Sequence, residues 1–221
     1  MEKILVSGCL LGNNCKYDGS NNKVAILDEI NKYFDLVPFC PEVEGGLGTP
    51  RIPSEIIASG RVINKNKVDV SAAFDEGARK ALRVCSFLGI TLAILKERSP
   101  SCGVHEVYNG YFNNILVKGQ GITTKYLQEH GIRVINETEA EEFLKNYLEE
   151  EEKAKKIKEE KRERNEDPLT PEKHSSRPSK SFAQKSSKPY PKKNFKQNKS
   201  SFKTSKEKKA PFKKKKFDKK K

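Results

Sequence analysis

No stretch of this 221-residue chain approaches the roughly 18 consecutive apolar residues that a membrane-spanning helix needs. The apolar run Ile4-Leu5-Val6 near the N-terminus is too short for the core of a secretory signal. These two absences predict a cytoplasmic protein and neither a membrane-embedded nor a secreted one. Cysteine is missing beyond residue 102. All five (Cys9, Cys15, Cys40, Cys85 and Cys102) precede that point, and an odd number at wide, irregular gaps makes a poor disulfide framework. Metal or catalytic roles are therefore the better expectation.

A surplus of positive charge is also missing where it would matter to a folded domain. The chain holds 44 Lys plus Arg against 30 Asp plus Glu, a formal +14. Residues 1–150 hold 17 basic and 20 acidic side chains, a net of −3, and residues 151–221 hold 27 and 10, a net of +17. A segment of about 150 residues buries roughly 68–70% of its unfolded surface, enough for one core. Three parts are expected: a domain over 1–150, a charged helical extension over 151–167 with seven side chains of each sign, and a Lys-rich tail over 168–221. That tail has too few apolar groups to offset an ordering cost of about 1–2 kcal/mol per residue, which predicts disorder.

Within the first 150 residues, strand-like apolar runs alternate with amphipathic helical stretches, the pattern of an α/β domain with a mainly parallel sheet of about four strands and flanking helices. Ile4-Leu5-Val6-Ser7, Leu36-Val37-Pro38-Phe39, Thr91-Leu92-Ala93-Ile94-Leu95 and Ile132-Arg133-Val134-Ile135 read as the strands. The second is expected to be bent or near its end, because Pro38 cannot donate to a ladder. Helices are predicted over 24–34, over 71–88 with Ser71 as cap, over 122–129 ended by Gly131, and from Thr138 onward. Residues 40–70 read as irregular, and the segment leading to Val117 has no clear pattern.

Cys9, Cys40 and Cys102 each follow one of the first three strands. In an open parallel sheet the loops beyond the carboxyl ends of the strands converge on one crevice, where such folds place ligands and catalysis. Clustered thiolates are soft ligands that select zinc, copper(I) or iron–sulfur clusters, whereas a free Cys can equally be a small buried hydrophobe. For Cys85, on an apolar helix face, burial is the preferred reading. Cys15 lies six residues after Cys9, as a further ligand, a resolving thiol or a loop residue.

Several segments taken together carry a resemblance. They are Val6-Ser7-Gly8-Cys9-Leu10-Leu11-Gly12 with Tyr17-Asp18-Gly19, Cys40-Pro41-Glu42-Val43 with Gly45-Gly46-Leu47 and Pro50-Arg51, Leu95-Lys96-Glu97-Arg98-Ser99-Pro100-Ser101-Cys102-Gly103, and Gly119-Gln120-Gly121. In order and spacing over residues 1–140 this resembles the bacterial thiouracil desulfidase family. The resemblance implies a 4Fe–4S cluster held by Cys9, Cys40 and Cys102 with one iron open to a thiocarbonyl sulfur. It also implies hydrolytic, non-redox release of sulfide. Such hydrolysis needs a group that accepts and returns a proton, and Glu42, two residues from Cys40, is the candidate. Ser99 and Ser101 are candidates to orient water or substrate. Lys96, Glu97 and Arg98 read as supporting groups or as a simple ion pair.

Three weaker signals remain. Gly119-Gln120-Gly121 is a fragment of a dinucleotide fingerprint without its third glycine, and a turn is the better reading. His105 stands in Cys-x-x-His spacing with Cys102, a pattern that can ligate zinc. Phe182, Tyr190, Phe195, Phe202, Phe212 and Phe217 recur among lysines in the tail, as in segments that hold single-stranded nucleic acid by stacking and phosphate contact. The chain thus admits a desulfidase with weak, non-specific RNA binding through its tail. It also admits an RNA-associated protein whose cysteine site is structural, with zinc or a closed cluster.

Overall fold

Four parallel strands form the centre of the computed structural model, which describes residues 1–165, with side chains through 162. The strands are β1 (Lys3–Ser7), β2 (Asp35–Phe39), β5 (Leu92–Leu95) and β8 (Arg133–Asn136), in spatial order β2-β1-β5-β8. All three pairings are parallel. These are the four runs expected from sequence. Because β2 pairs only with β1, Pro38 sits on the sheet edge opposite Val6, where its missing N–H breaks no ladder.

Period-two alternation divides the core between the two faces. Ile4, Val6, Ile94 and Ile135 face α1 (Ile26–Ile30) and α5 (Ala140–Asn165), which contribute Leu27, Ile30 and Leu144. Leu5, Ala93, Leu95 and Val134 face α3 (Ser71–Leu88) and α4 (Ile122–Glu129), which contribute Ala81, Cys85 and Leu127. Each fully buried aliphatic chain contributes about 1.5–3 kcal/mol. Cys85 is fully buried in this second layer.

Several elements differ from the sequence reading. The helix expected over 24–34 is α-helical only over Ile26–Ile30; its flanks are tighter turns, with the Leu27 and Asp28 amides on the Val24 and Ala25 carbonyls and the Lys32 and Tyr33 amides on those of Glu29 and Ile30. Ser71 begins α3 but does not cap it. Its hydroxyl accepts the Val62 amide at 2.9 Å, and Asp69 takes the Ser71 amide at 2.9 Å. The last helix is opened by Asn136 rather than Thr138: the Asn136 side chain accepts the amides of Thr138 and Glu139, while Glu139 accepts that of Asn136. Residues 40–70 contain the short helix α2 (Pro41–Glu44) and the hairpin β3 (Ser54–Ile56) with β4 (Val62–Asn64). The patternless segment is a second hairpin, β6 (Glu106–Tyr108) with β7 (Leu116–Lys118). Three-residue strands are too short for a periodicity to register. The helical extension past residue 150 is part of α5 as far as Asn165; the tail over 168–221 lies outside the described residues.

One contact ties this scaffold to the site. A Cβ on Gly77 of α3 would overlap the Pro41 carbonyl, and one on Gly45 would overlap the Ala73 carbonyl. Only glycine lets α2 lie this close to α3, and α2 begins directly after Cys40.

Candidate functional site

The chain moves from β1 to β2 on one side and then crosses to β5 on the other, so the crevice beyond the carboxyl ends of β1 and β5 is the topological switch point. Ser7 ends β1, and a single 3₁₀ turn over Gly8–Leu11 carries Cys9. Cys40 is the extended residue before α2, with Pro41 at the first helical position, where its missing N–H costs nothing. Cys102 lies in the tight turn after β5. The three, with Cys15, line one cavity of about 560 Å³.

Cys15 packs against both Cys9 and Cys40. Its carbonyl receives the Cys40 Sγ at 3.7 Å. The bond with Cys40 draws the Cys15 thiol down, but the bond with Cys9 and burial outweigh it and leave the thiol raised. The hydrogen bond to Cys15, together with burial, pushes the Cys40 thiol well above the usual range. Burial lifts Cys102 to about 12 despite a hydrogen bond from Ser7. None of the five cysteines is in a disulfide. Among the described residues no three His, Cys, Asp or Glu side chains close around the position of a single metal ion. By its chemistry, a set of loop thiols brought from three strand ends to one cavity is a soft donor set that fits a thiolate-bound iron–sulfur cluster.

Glu42, on α2, faces the same cavity. Its Oε2 is paired with Arg51 Nε at 2.8 Å, and the two side chains are only 14% and 9% exposed. Ser99 Oγ lies 3.4 Å from the other oxygen, Oε1, and itself accepts the amides of Ser101 and Cys102 at 3.1 Å each. Ser99 thus links the carboxylate to the cysteine turn. Ser101 does not line the cavity. Its hydroxyl is fully buried against Thr123 at 2.9 Å, a contact that anchors the turn on α4.

The rest of the Cys102 turn is held by backbone groups. The first amides of α4, from Ile122, Thr123 and Thr124, donate to the Pro100 and Ser101 carbonyls, and Thr124 Oγ1 donates to the Cys102 carbonyl at 2.8 Å. Gly121 must be glycine, since a Cβ there would overlap the Ser101 peptide. Gly119-Gln120-Gly121 is therefore the turn that seats this helix end, and those amides are occupied by the protein itself. His105 points to Glu139 Oε1 at 3.1 Å rather than joining Cys102. Lys96 is paired with Glu137 at 2.7 Å, and Arg98 lies 3.8 Å from Glu106.

A family model for 2-thiouracil desulfurase matches residues 4–139, a span that includes every side chain of this cavity named above. The chain belongs to the 2-thiouracil desulfurase family. It is 39% identical over 153 residues, 64% of its own length and 99% of the relative's, to the uncharacterized protein YbbK of Bacillus subtilis (strain 168). It also superposes on the solved structure of the [4Fe-4S]-dependent thiouracil desulfidase TudS with a TM-score of 0.63 and 44% identity, covering 67% of this chain and 99% of that one.

Two parts of this desulfurase site were not legible as such in the sequence. Arg51 appears there only as half of a Pro-Arg pair, yet it touches Glu42, the Cys15 carbonyl at 3.0 Å and the Thr49 hydroxyl at 3.3 Å. Glu97 reads there as a supporting group or half of a simple ion pair, with no partner specified; its Oε1 accepts the amides of Val104, His105 and Glu106 at 2.9–3.2 Å, and its Oε2 accepts Asn136 Nδ2 at 2.7 Å. Clustered polar residues with Gly and Pro signal a loop, but not which carboxylate closes it.

Glu97 predicts a pH dependence. Burial opposes its ionisation, but the amides of Glu106, His105 and Arg98 and the Asn136 side chain outweigh that and hold the carboxyl below its usual value of 4.5. A carboxyl lowered by folding adds stability that is complete above its unfolded pKa and disappears as pH falls through the folded value. Thermal melts should therefore be steady from about pH 7 to 5 and fall below about pH 4.5. Glu97→Gln should melt lower at neutral pH and lose less than wild type between about pH 5 and 3; an equal acid loss in both proteins would contradict this role.

Proposed function

We propose that this protein is a desulfidase that hydrolyses a thiolated nucleobase or a related small thiocarbonyl compound, with Cys9, Cys40 and Cys102 holding a [4Fe–4S] cluster. The observation that carries the reading is the meeting of these thiols from three strand ends with a paired carboxylate on one cavity. It is supported by membership of the 2-thiouracil desulfurase family and by the TudS likeness. When bound, a cluster with one iron free of cysteine supplies a soft Lewis acid for a thione sulfur.

The chain's own groups supply the rest. Water adds to the C=S carbon, a C=O bond replaces the C=S bond and sulfur departs as hydrogen sulfide, so both water protons leave the oxygen and are delivered to the departing sulfur; no electrons are exchanged. Glu42 Oε1 is the atom for that transfer, since Oε2 is taken by Arg51 and the Ser99 contact to Oε1 is long at 3.4 Å. Ser99 orients the carboxylate toward the turn of Cys102. Tyr17, Tyr108 and Phe112 line the cavity and give it aromatic walls suited to a planar base. Anaerobically prepared protein should release sulfide from 2-thiouracil or 4-thiouracil, and a wild type that releases none from either would overturn the reading.

A second reading rests on Cys15. Its contact with Cys9 and Cys40 would suit a closed, four-thiolate structural site. The five unpaired thiols support a reducing compartment such as the cytoplasm. Among the described residues no helix is long and apolar enough to cross a membrane. For the tail over 168–221 we propose weak, salt-sensitive RNA binding, carried by its lysines and interspersed aromatics. In a mobility-shift titration the full chain should retard RNA at low salt and a chain ending at residue 167 should not; equal retardation by both would reject the tail as the binding element.

A further inference from the structure

We infer that Arg51 is a positioning residue for the proposed hydrolysis, acting through Glu42. The inference rests on the desulfidase reading and adds to it a group that fixes the orientation of the proton-transferring carboxylate. Three observations carry it. Arg51 is a guanidinium only 9% exposed, set at the wall of the cavity, and its Nε meets Glu42 Oε2 at 2.8 Å. Its Nη1 donates to the Cys15 carbonyl at 3.0 Å, with Gly48 and Thr49 oxygens at 3.4 and 3.3 Å. Its own amide donates to the Tyr17 carbonyl at 2.7 Å. One side chain thus joins the loop that follows Cys9, the loop ahead of β3 and the helix that follows Cys40.

The consequence for chemistry is geometric. The rigid guanidinium fork presents its donors in one plane, so anchoring Nη1 on backbone oxygens fixes the direction of Nε, and that direction fixes Glu42 Oε2. The carboxylate then has one orientation, with Oε1 directed at Ser99 and the cavity. Without the fork Glu42 has only the long Ser99 contact, and its side chain gains rotamers in which Oε1 no longer faces substrate. A misplacement of about 1 Å is enough to cost of the order of a hundredfold in rate. A lysine would restore the charge but not the two-point grip.

The test is a double-mutant cycle on the intact holoenzyme. Arg51→Ala should keep the circular dichroism and the visible absorbance of wild type, lower kcat about 10- to 100-fold and change KM by less than about threefold. Arg51→Lys should recover part of the loss, and added guanidinium should recover part of it in Arg51→Ala. The decisive comparison is Arg51→Ala with Glu42→Ala: if Arg51 acts through Glu42, the double variant is no slower than Glu42→Ala alone. Multiplying losses, or an Arg51→Ala enzyme of full activity, would overturn the inference and leave the desulfidase reading intact. If Arg51→Ala does not fold, the same cycle is run with Arg51→Lys and Glu42→Gln. A wild type without sulfide release would remove the desulfidase reading and this inference together.

Discussion

Changing Cys9, Cys40 or Cys102 singly to Ala is expected to abolish the brown colour of anaerobically purified protein and to lower its iron from about four per chain, the content of a [4Fe–4S] cluster, to near zero. Each thiol comes from a different strand end, so no neighbouring donor on the same loop substitutes for the one removed. Cys15 is the exception to examine, because it already touches Cys9 and Cys40. Cys15→Ala should keep the iron and the sulfide release, since the loop around it is held by its carbonyl on Arg51 rather than by its sulfur. Loss of the iron in Cys15→Ala would instead indicate four ligands and a closed site, and would favour the structural reading. Cys85→Ala serves as a control. It removes one sulfur from the α3 side of the core, costs about 1 kcal/mol, and leaves the iron in place. Because metal binding adds to folding free energy, the variants of the three proposed ligands should also melt below wild type, by more than Cys85→Ala does.

Glu42→Gln is expected to lower kcat by about 10²–10⁴-fold with the iron retained, the range for removal of a positioned general acid–base group. The amide keeps the size of the side chain but can no longer take and return a proton. Its removal also leaves the Arg51 guanidinium without an anion, and breaking a nearly buried ion pair costs at most about 3–5 kcal/mol. The cost should fall below that bound, because Arg51 retains oxygens of Cys15, Gly48 and Thr49 as acceptors. A thermal melt beside the rate assay separates the two effects. A folded, iron-loaded Glu42→Gln protein with wild-type turnover would remove Glu42 from the mechanism.

The sheet was the most legible feature, and the reason is local. The central strands β1 and β5 are buried on both faces, so their apolar runs stand out without knowledge of their partners. Helix α3 was legible for a similar reason, as its apolar stripe repeats over several turns and ends at Gly89, and the shorter α4 was marked by the Gly131 that follows it. The two hairpins and α2 were not, since three or four residues do not establish a period. Ser99 and Ser101 could not be told apart in the sequence, because two hydroxyls two residues apart are equivalent there. The turn directs one to Glu42 and buries the other on Thr123.

The sequence by itself determined the α/β class, the positions of Cys9, Cys40 and Cys102 beyond three strands, and the separation of a near-neutral domain from a basic tail. These follow from properties of single residues and their near neighbours: apolar periodicity, turn residues and charge. Tertiary structure alone decided that Arg51 grips Glu42, that Cys15 joins the other thiols, and that Glu97 closes the Cys102 turn. Such contacts join residues 9 positions apart, as in Arg51 with Glu42, or 39, as in Glu97 with Asn136, and depend on how the loops are seated, with Gly77 and Gly121 permitting the close approaches. Partners joined through irregular loops leave no period or spacing in the chain, because only the folded course of those loops brings them within reach.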